Sequence, residues 1–471
     1  MAPPEIPIAT TRNAPAPASA SAINPDYLTD ASGFTGHAER VLIPCDEAEL
    51  RTAIADAVRT RTPITIAGAG TGLTGSRVPR GGWVISMERF NNLEMHEGYA
   101  IVGPAVRLQD LRAAAASTGQ FYAPDPTEIW ASIGGNIATN ASGSRSFKYG
   151  STRRHVRALK VALLDGTLRW YRRGEPIDFD VPNLPRPAVT KNTAGYQLTP
   201  GMDWVDLFIG SEGTLGIVVE AELALLPAPK DIFAGVVFFP SDEAALDAVR
   251  AWRSITELRM MEYADALSLQ MLRTRYPEIP ANAQAALLIE AEGSDLEAWY
   301  ERLDTQQALL DDSWFAQNDR DREHFRAFRH TMPQLVVETM TRRGFMNMGT
   351  DYAVPLDRDR DLLAYYRKRL EEEIPGHYVI FGHIGDAHLH LNMLPGTQQE
   401  AERAAVLLKE FAAYAVSLGG TVSAEHGLGK RKASLLELQY TPDQINAMRS
   451  IKQRFDPHWL LGRETLFAPP A

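Results

Sequence analysis

The chain has 471 residues, 45% hydrophobic and 23% charged, which suggests two or three domains and excludes a disordered or fibrous protein. Its 48 Lys and Arg against 59 Asp and Glu give a net charge of −11 with no long basic face, which argues against nucleic acid as a partner. The single cysteine, Cys45, excludes an intramolecular disulfide, a cysteine-ligated iron–sulfur cluster and a Cys-rich zinc site.

No run reaches the ~18 apolar residues that span a bilayer, and the N-terminus lacks the continuous apolar core of a secretory signal. The expected location is the cytoplasm, with peripheral membrane contact left open. Residues 1–37 are rich in Ala, Pro and Ser at first and read as a disordered tail and lead-in. Val41 to Pro44 reads as a strand. Asp46 to Val58 reads as a helix, because Leu50, Ile54 and Val58 recur at four-residue spacing. Strands follow at Pro63 to Ala67, Trp83 to Met87 and Ala100 to Gly103, then a helix at Arg107 to Thr118. Phe121 to Gly150 is long, poorly periodic and rich in small residues, as a loop against a ligand would be. Val156 to Leu164, Asp165-Gly166-Thr167 and Leu168 to Tyr171 read as strand, turn and strand. Ile217 to Leu226 is a strand ended by Pro227 and Pro229, and a domain boundary falls near 229.

The second region opens with a strand at Gly235 to Phe239. Helices at Ser241 to Ile255 and Asp265 to Arg275 come next, then a strand at Ala285 to Ala291. The helix Asp295 to Leu310 and the segment Arg320 to Glu338 follow. Strands at Asp351 to Pro355 and Tyr378 to Phe381 flank a helix at Asp359 to Glu373. The chain closes with a strand at His388 to Met393 and helices at Gln398 to Leu418 and Pro442 to Phe455.

Gly70-Thr-Gly72-Leu-Thr-Gly75 fits G-x-G-x-x-G after a strand, with Glu88 placed 18 residues after Gly70 like a ribose-binding acid. A dinucleotide fold requires a helix to start within those glycines. Pro79, Gly81 and Gly82 follow instead, with no apolar stripe. A loop whose backbone N–H groups face an anion fits better, beside the alternative of a purely structural loop.

Gly382-His383-Ile-Gly385-Asp386-Ala-His388-Leu-His390-Leu-Asn392 holds three of the 11 histidines within eight residues. The alternation puts His388, His390 and Asn392 on one strand face. Gly385 lets the chain turn so that His383 and His390 meet as two imidazole donors. Glu425 is a suitable third ligand and His426 a suitable base. Two histidines and a carboxylate suit Zn²⁺, Mn²⁺ or Fe²⁺. The alternative is a set of surface or hydrogen-bonded core histidines, and spacing alone leaves open which one ligates.

These segments, with Asp125-Pro126, Ser132 to Gly143, Tyr149-Gly150, Lys191 to Tyr196 and Gly210 to Gly216, stand in an order that resembles a flavoprotein family. It is the family of D-lactate, glycolate and D-2-hydroxyglutarate dehydrogenases within the vanillyl-alcohol oxidase superfamily, and the resemblance covers about 38–471. It implies an α+β protein: a PCMH-type two-subdomain FAD-binding domain over 38–229 and an α+β cap with an antiparallel sheet over 230–410. A C-terminal segment over 411–471 returns to the FAD domain.

It also implies non-covalent FAD. The loop Ala67, Gly68, Ala69, Gly70, Thr71, Gly72, Leu73, Thr74 and Gly75 would face the pyrophosphate. Pro126, Ser132, Gly135, Asn136, Ala138, Thr139, Asn140, Gly143 and Ile217 would line the rest. His383, His390 and Glu425 match the family's ligands of a divalent metal, and His426 its catalytic base. Arg329 matches a substrate-carboxylate arginine, the alternative being a solvated helix arginine. His388 replaces an asparagine, either behind the ligands or against substrate. Gly349 stands where related dehydrogenases have a lysine, which weakens a dicarboxylate assignment.

The implied reaction is oxidation of a D-2-hydroxy acid to the 2-oxo acid, with hydride transfer and Cα proton abstraction both open as the first step. A flavin oxidase of the same superfamily, acting on another alcohol, a phenol or a sugar, is the alternative. A non-enzymatic flavin subunit of an electron-transfer complex is a further one. The electron acceptor, including a separate redox protein, and the oligomeric state stay open.

Overall fold

A computed structural model describes residues 23–293 and 295–468; the expected tail over 1–22 lies outside them. Helix Glu47–Thr60 forms where its spacing predicts. The Asp46 carboxylate accepts from the Glu49 N–H at its start, and Arg61 ends it in the left-handed conformation. Its Leu50, Ile54 and Ala57 pack against Ile64 and Ile85 of a three-stranded parallel sheet. That sheet is ordered Arg40–Leu42, Trp83–Ser86, Ile64–Ala67. Leu460 and Leu461 join this core, and Leu461 bridges to Ile64. The C-terminal segment therefore packs on the first layer of the chain.

A five-stranded antiparallel sheet stands beside it, ordered Leu93–His96, Tyr99–Val102, Ile217–Ala224, Val156–Ala162, Leu168–Arg172. Along Ile217–Ala224 every second residue is buried, as one covered face requires. The expected loop Phe121 to Gly150 is corrected here: it contains a helix, Ile133–Thr139, capped by Ser132. Two glycines within seven residues erase its apolar period and lower its helix propensity. Residues 25–27 form a turn of 3₁₀ helix, and Thr29 bridges to Thr35.

The cap is a seven-stranded antiparallel sheet. Its order is Trp314–Phe315, Ile232–Phe239, Ala285–Glu292, Leu258–Ala264, Tyr378–Gly382, His390–Met393, Met348–Gly349. One face, with Val236, Phe238, Ala264, Ala286 and Leu288, lies under helix Ala266–Leu272 and the long helix Asp319–Arg343. The other, with Phe233, Val237, Phe239 and Leu287, packs on helices that include Asp242–Trp252 and Asp359–Glu373.

The central strand Leu258–Ala264 went unpredicted because all seven of its residues are buried, so its sequence shows no alternation. The strand expected at Asp351 to Pro355 is only a bridge at Ala353, to His388 and Thr421. The long helix starts under the Asn318 side chain and ends at Gly344. Pro333 inside it removes the N–H that the Arg329 carbonyl would accept.

Candidate active site

A cavity of about 1740 Å³ runs from the Gly68–Thr74 loop to the cap sheet. Ala67, Gly68, Ala69, Gly70, Thr71, Gly72, Leu73 and Thr74 line it, as do Pro126, Ser132, Gly135, Asn136, Ala138, Thr139 and Ile217. Gly75, Asn140 and Gly143 do not. Asn140 instead ends a helix in the left-handed conformation and accepts from the Arg153 N–H. A side chain at Gly143 would collide with the Asp125 carbonyl.

No helix starts within the glycine loop. Among the described residues, none of the backbone N–H groups of Gly70 to Gly75 donates to another main-chain oxygen. Gly70 has φ +80°, and a Cβ there would collide with the Arg77 guanidinium. The buried Asn136 amide nitrogen has no partner and belongs to a cavity-lining side chain. Free N–H groups at one end and an orphan donor along the wall fit a pyrophosphate and a polar ring edge. Glu88 also lines the cavity, where it accepts from the Tyr27 and Ser86 hydroxyls.

At the cap end, donor atoms of His383, His388, His390 and Glu425 lie within 4.8 Å of one another. Glu425 divides its oxygens. Oε1 accepts from Lys191 Nζ at 2.7 Å and Ser142 Oγ at 2.9 Å. Oε2 stands 3.2 Å from His383 Nε2 and 3.9 Å from His390 Nε2. The far sides of His383 and His390 are held as well. His383 Nδ1 is 2.6 Å from Glu262 Oε1, and His390 Nδ1 is 3.4 Å from the Thr350 carbonyl. His388 Nε2 is 3.2 Å from Asp351 Oδ1, and neither of its buried ring nitrogens makes a well-aligned hydrogen bond. One nitrogen toward a common point and the other on an oxygen is the arrangement of metal-bound histidine. The donor set fits a divalent cation of the Zn²⁺, Mn²⁺ or Fe²⁺ type.

Asp351 organises His426 beside this cluster. It accepts from the His426 N–H at 2.9 Å and the Ser423 hydroxyl at 2.9 Å, and its Oδ1 is 3.5 Å from His426 Nδ1. Burial pushes the His426 pKa down, partly opposed by Asp351, so the ring is neutral near pH 7. Burial and the neighbouring His388 and His383 push His390 well down. Burial opposes charging of His383, but Glu262 and Glu425 outweigh it and raise its pKa.

Arg329 is not a solvated helix arginine. Its Nε donates to Glu262 at 2.8 Å and its Nη1 to the Thr127 hydroxyl at 2.9 Å, and it lines the cavity with His390, Glu425 and His426. Glu262, Lys191 and Asp351 are the site residues that sequence reasoning missed. Lys432 is a fourth: it lines the same cavity, where burial depresses its ammonium pKa and Asp351 opposes the shift.

Two families match the chain: "FAD binding domain" over residues 38–172 and "FAD linked oxidases, C-terminal domain" over 228–465. The chain belongs to the FAD-linked oxidases and is an FAD-dependent oxidoreductase with a PCMH-type FAD-binding part and an α+β cap.

A glycolate oxidase subunit of Bacillus subtilis is 32% identical over 92% of this chain and 90% of its own. A D-lactate dehydrogenase of Anaerostipes hadrus is 30% identical over 93% and 92%. A D-2-hydroxyglutarate dehydrogenase of Xanthomonas citri is 30% identical over 91% and 89%. Among solved structures, an alkyldihydroxyacetonephosphate synthase aligns with TM-score 0.64 at 17% identity, covering 90% of this chain and 75% of that one, a likeness of fold alone. No helix among the described residues is long and apolar enough to cross a membrane.

Proposed function

We propose that the protein oxidises the CH–OH group of a D-2-hydroxy acid to the 2-oxo acid with FAD and a divalent metal. The observation that carries this reading is that His390, Glu425 and His426 line the same cavity as the glycine loop. The relatives named for glycolate, D-lactate and D-2-hydroxyglutarate support the substrate class.

When bound, FAD supplies the hydride acceptor and the cation a Lewis acid for the substrate hydroxyl. Gly70 to Thr74 would hold the pyrophosphate through backbone N–H groups, and Asn136 would donate farther along. His383, His390 and Glu425 would hold the cation. Glu262 keeps the proton of His383 on Nδ1, and Lys191 leaves only Oε2 of Glu425 free. Arg329 and Lys432 draw the substrate carboxylate toward the cluster. His426 takes the hydroxyl proton at Nε2, and Asp351 stabilises the imidazolium from the Nδ1 side. Anaerobic reduction of the bound flavin by D- but not L-2-hydroxy acids tests the proposal; equal reduction by both series counts against it.

A further inference from the structure

The segment from Asn24 to Gly33 lies ahead of both matched families, which begin at residues 38 and 228. None of its residues packs in a hydrophobic core of the described residues. Hydrogen bonds hold it instead, and two of them tie it to the glycine loop. The Ala31 N–H donates to the Gly70 carbonyl at 3.1 Å. Arg77, whose guanidinium lies against Gly70, donates from Nη1 to the Thr29 carbonyl at 3.2 Å. The Tyr27 hydroxyl donates to Glu88 at 2.7 Å, and Arg431 Nη1 to the Ser32 carbonyl at 3.3 Å. A segment held by single hydrogen bonds, with no packed apolar face, opens at low cost.

The same segment faces ligand space. Asn24, Asp26, Tyr27, Asp30, Ala31 and Ser32 line the cavity together with Gly70 to Thr74. Asp30 divides its carboxylate. Oδ1 accepts from the Ser32 N–H at 2.9 Å and fixes the turn. Oδ2 is buried and has no partner among the described residues. It reaches toward the glycine loop, 3.8 Å from where a Cβ on Gly72 would stand. A buried acceptor without a donor calls for one from outside the chain. FAD carries sugar hydroxyls on both sides of its pyrophosphate, so a loop that faces the phosphates has hydroxyl donors next to it. Arg77 lines the cavity as well, so a cation stands beside both the carboxylate and the phosphate loop.

We infer that residues 24–33 are a clasp on the cofactor: Asp30 Oδ2 accepts from a sugar hydroxyl of FAD, and the segment must lift from Gly70 before FAD leaves. The cofactor site then extends ahead of the matched FAD-binding domain. FAD in turn supplies the donor that the closed segment lacks, so each holds the other in place.

Three measurements on the full chain test this. Hydrogen exchange should be at least about tenfold slower over residues 27–34 in FAD-loaded than in FAD-stripped protein, with the cap strand Ala285–Glu292 unchanged as an internal reference. Equal exchange over 27–34 overturns the clasp. Ala31→Pro deletes the N–H that meets Gly70. It spares the turn, because the Gly33 N–H reaches back to the Asp30 carbonyl and proline suits the second position of such a turn. FAD release, followed by flavin fluorescence, should become about five- to tenfold faster; an unchanged rate in folded protein overturns the clasp. Asp30→Asn keeps an oxygen for Ser32 and replaces the free acceptor with an NH₂ group. FAD should bind about tenfold or more weakly by titration. Unchanged binding overturns the hydroxyl contact, and tighter binding does so by setting Asp30 against the phosphates. The exchange measurement on the parent protein decides the matter if a variant does not fold. None of these readouts uses a substrate, so the inference stands or falls apart from the 2-hydroxy-acid reading.

Discussion

Glu262→Gln isolates one support of the candidate metal site with little change in side-chain volume. Glu262 is 4% exposed and takes two donors, His383 Nδ1 at 2.6 Å and Arg329 Nε at 2.8 Å. Burial pushes its carboxyl up, but Arg329 and His383 outweigh burial and pull it down to about 2, so it is ionised at any working pH. Glutamine keeps one acceptor oxygen and turns an NH₂ on the other donor. At least one charge-assisted hydrogen bond is lost, worth about 1.5–3 kcal/mol. Much of that loss falls on the tautomer and aim of His383, so metal affinity should drop about 10- to 100-fold. The assay is chelator competition for Zn²⁺ and Mn²⁺ on demetallated enzyme, with flavin content and circular dichroism confirming the fold. A folded Glu262→Gln protein that binds both metals as tightly as the parent would refute the reasoning.

Gly70→Ala forces φ +80° on an L side chain and drives a Cβ into Arg77; at a strain of about 1–3 kcal/mol, FAD should bind about 5- to 100-fold more weakly by fluorescence titration. His388→Asn removes the ring whose centroid is 4.5 Å from that of His390 and whose Nε2 faces Asp351. Its metal content after dialysis should fall, with affinity down about 10- to 100-fold. Asp265→Asn addresses pH. Asp265 caps helix Ala266–Leu272 by accepting from the Ser268 N–H, and burial pushes its carboxyl up from 3.8 to about 6. Because the folded pKa is the higher one, the stability its protonation provides is complete below pH ~4 and lost as pH rises through ~6. Asparagine caps equally well without charge. The stability advantage of the variant, by denaturant unfolding, should therefore grow between pH 4 and 6 and then level, toward an upper value of about 3 kcal/mol; a pH-independent difference would contradict it.

The candidate histidine cluster is legible in the sequence because its chemistry is compressed. His383, His388 and His390 fall within eight residues, and the alternation of the last strand announces a shared face. The glycine loop was legible for a similar reason: Pro79 and Gly81 forbid the helix that a dinucleotide fold needs. What supports these groups was not legible. Glu262 meets His383 across 121 residues, and Lys191 meets Glu425 across 234. The strand carrying Glu262 is buried on both faces and so leaves no period in the sequence. Helix Ile133–Thr139 escaped because its turns are built of Gly, Ala, Asn and Thr, chosen for close approach rather than amphipathicity. Asp351 was read as part of a strand, whereas its carboxylate gathers the Ser423, Glu425 and His426 segment around it.

The most direct measurement is anaerobic bleaching of the bound flavin by a D-2-hydroxy acid in metal-loaded, chelator-treated and metal-restored protein. The account predicts rapid bleaching, its loss on chelation and its return with a divalent cation. Equally fast bleaching in fully demetallated, flavin-loaded protein would contradict it.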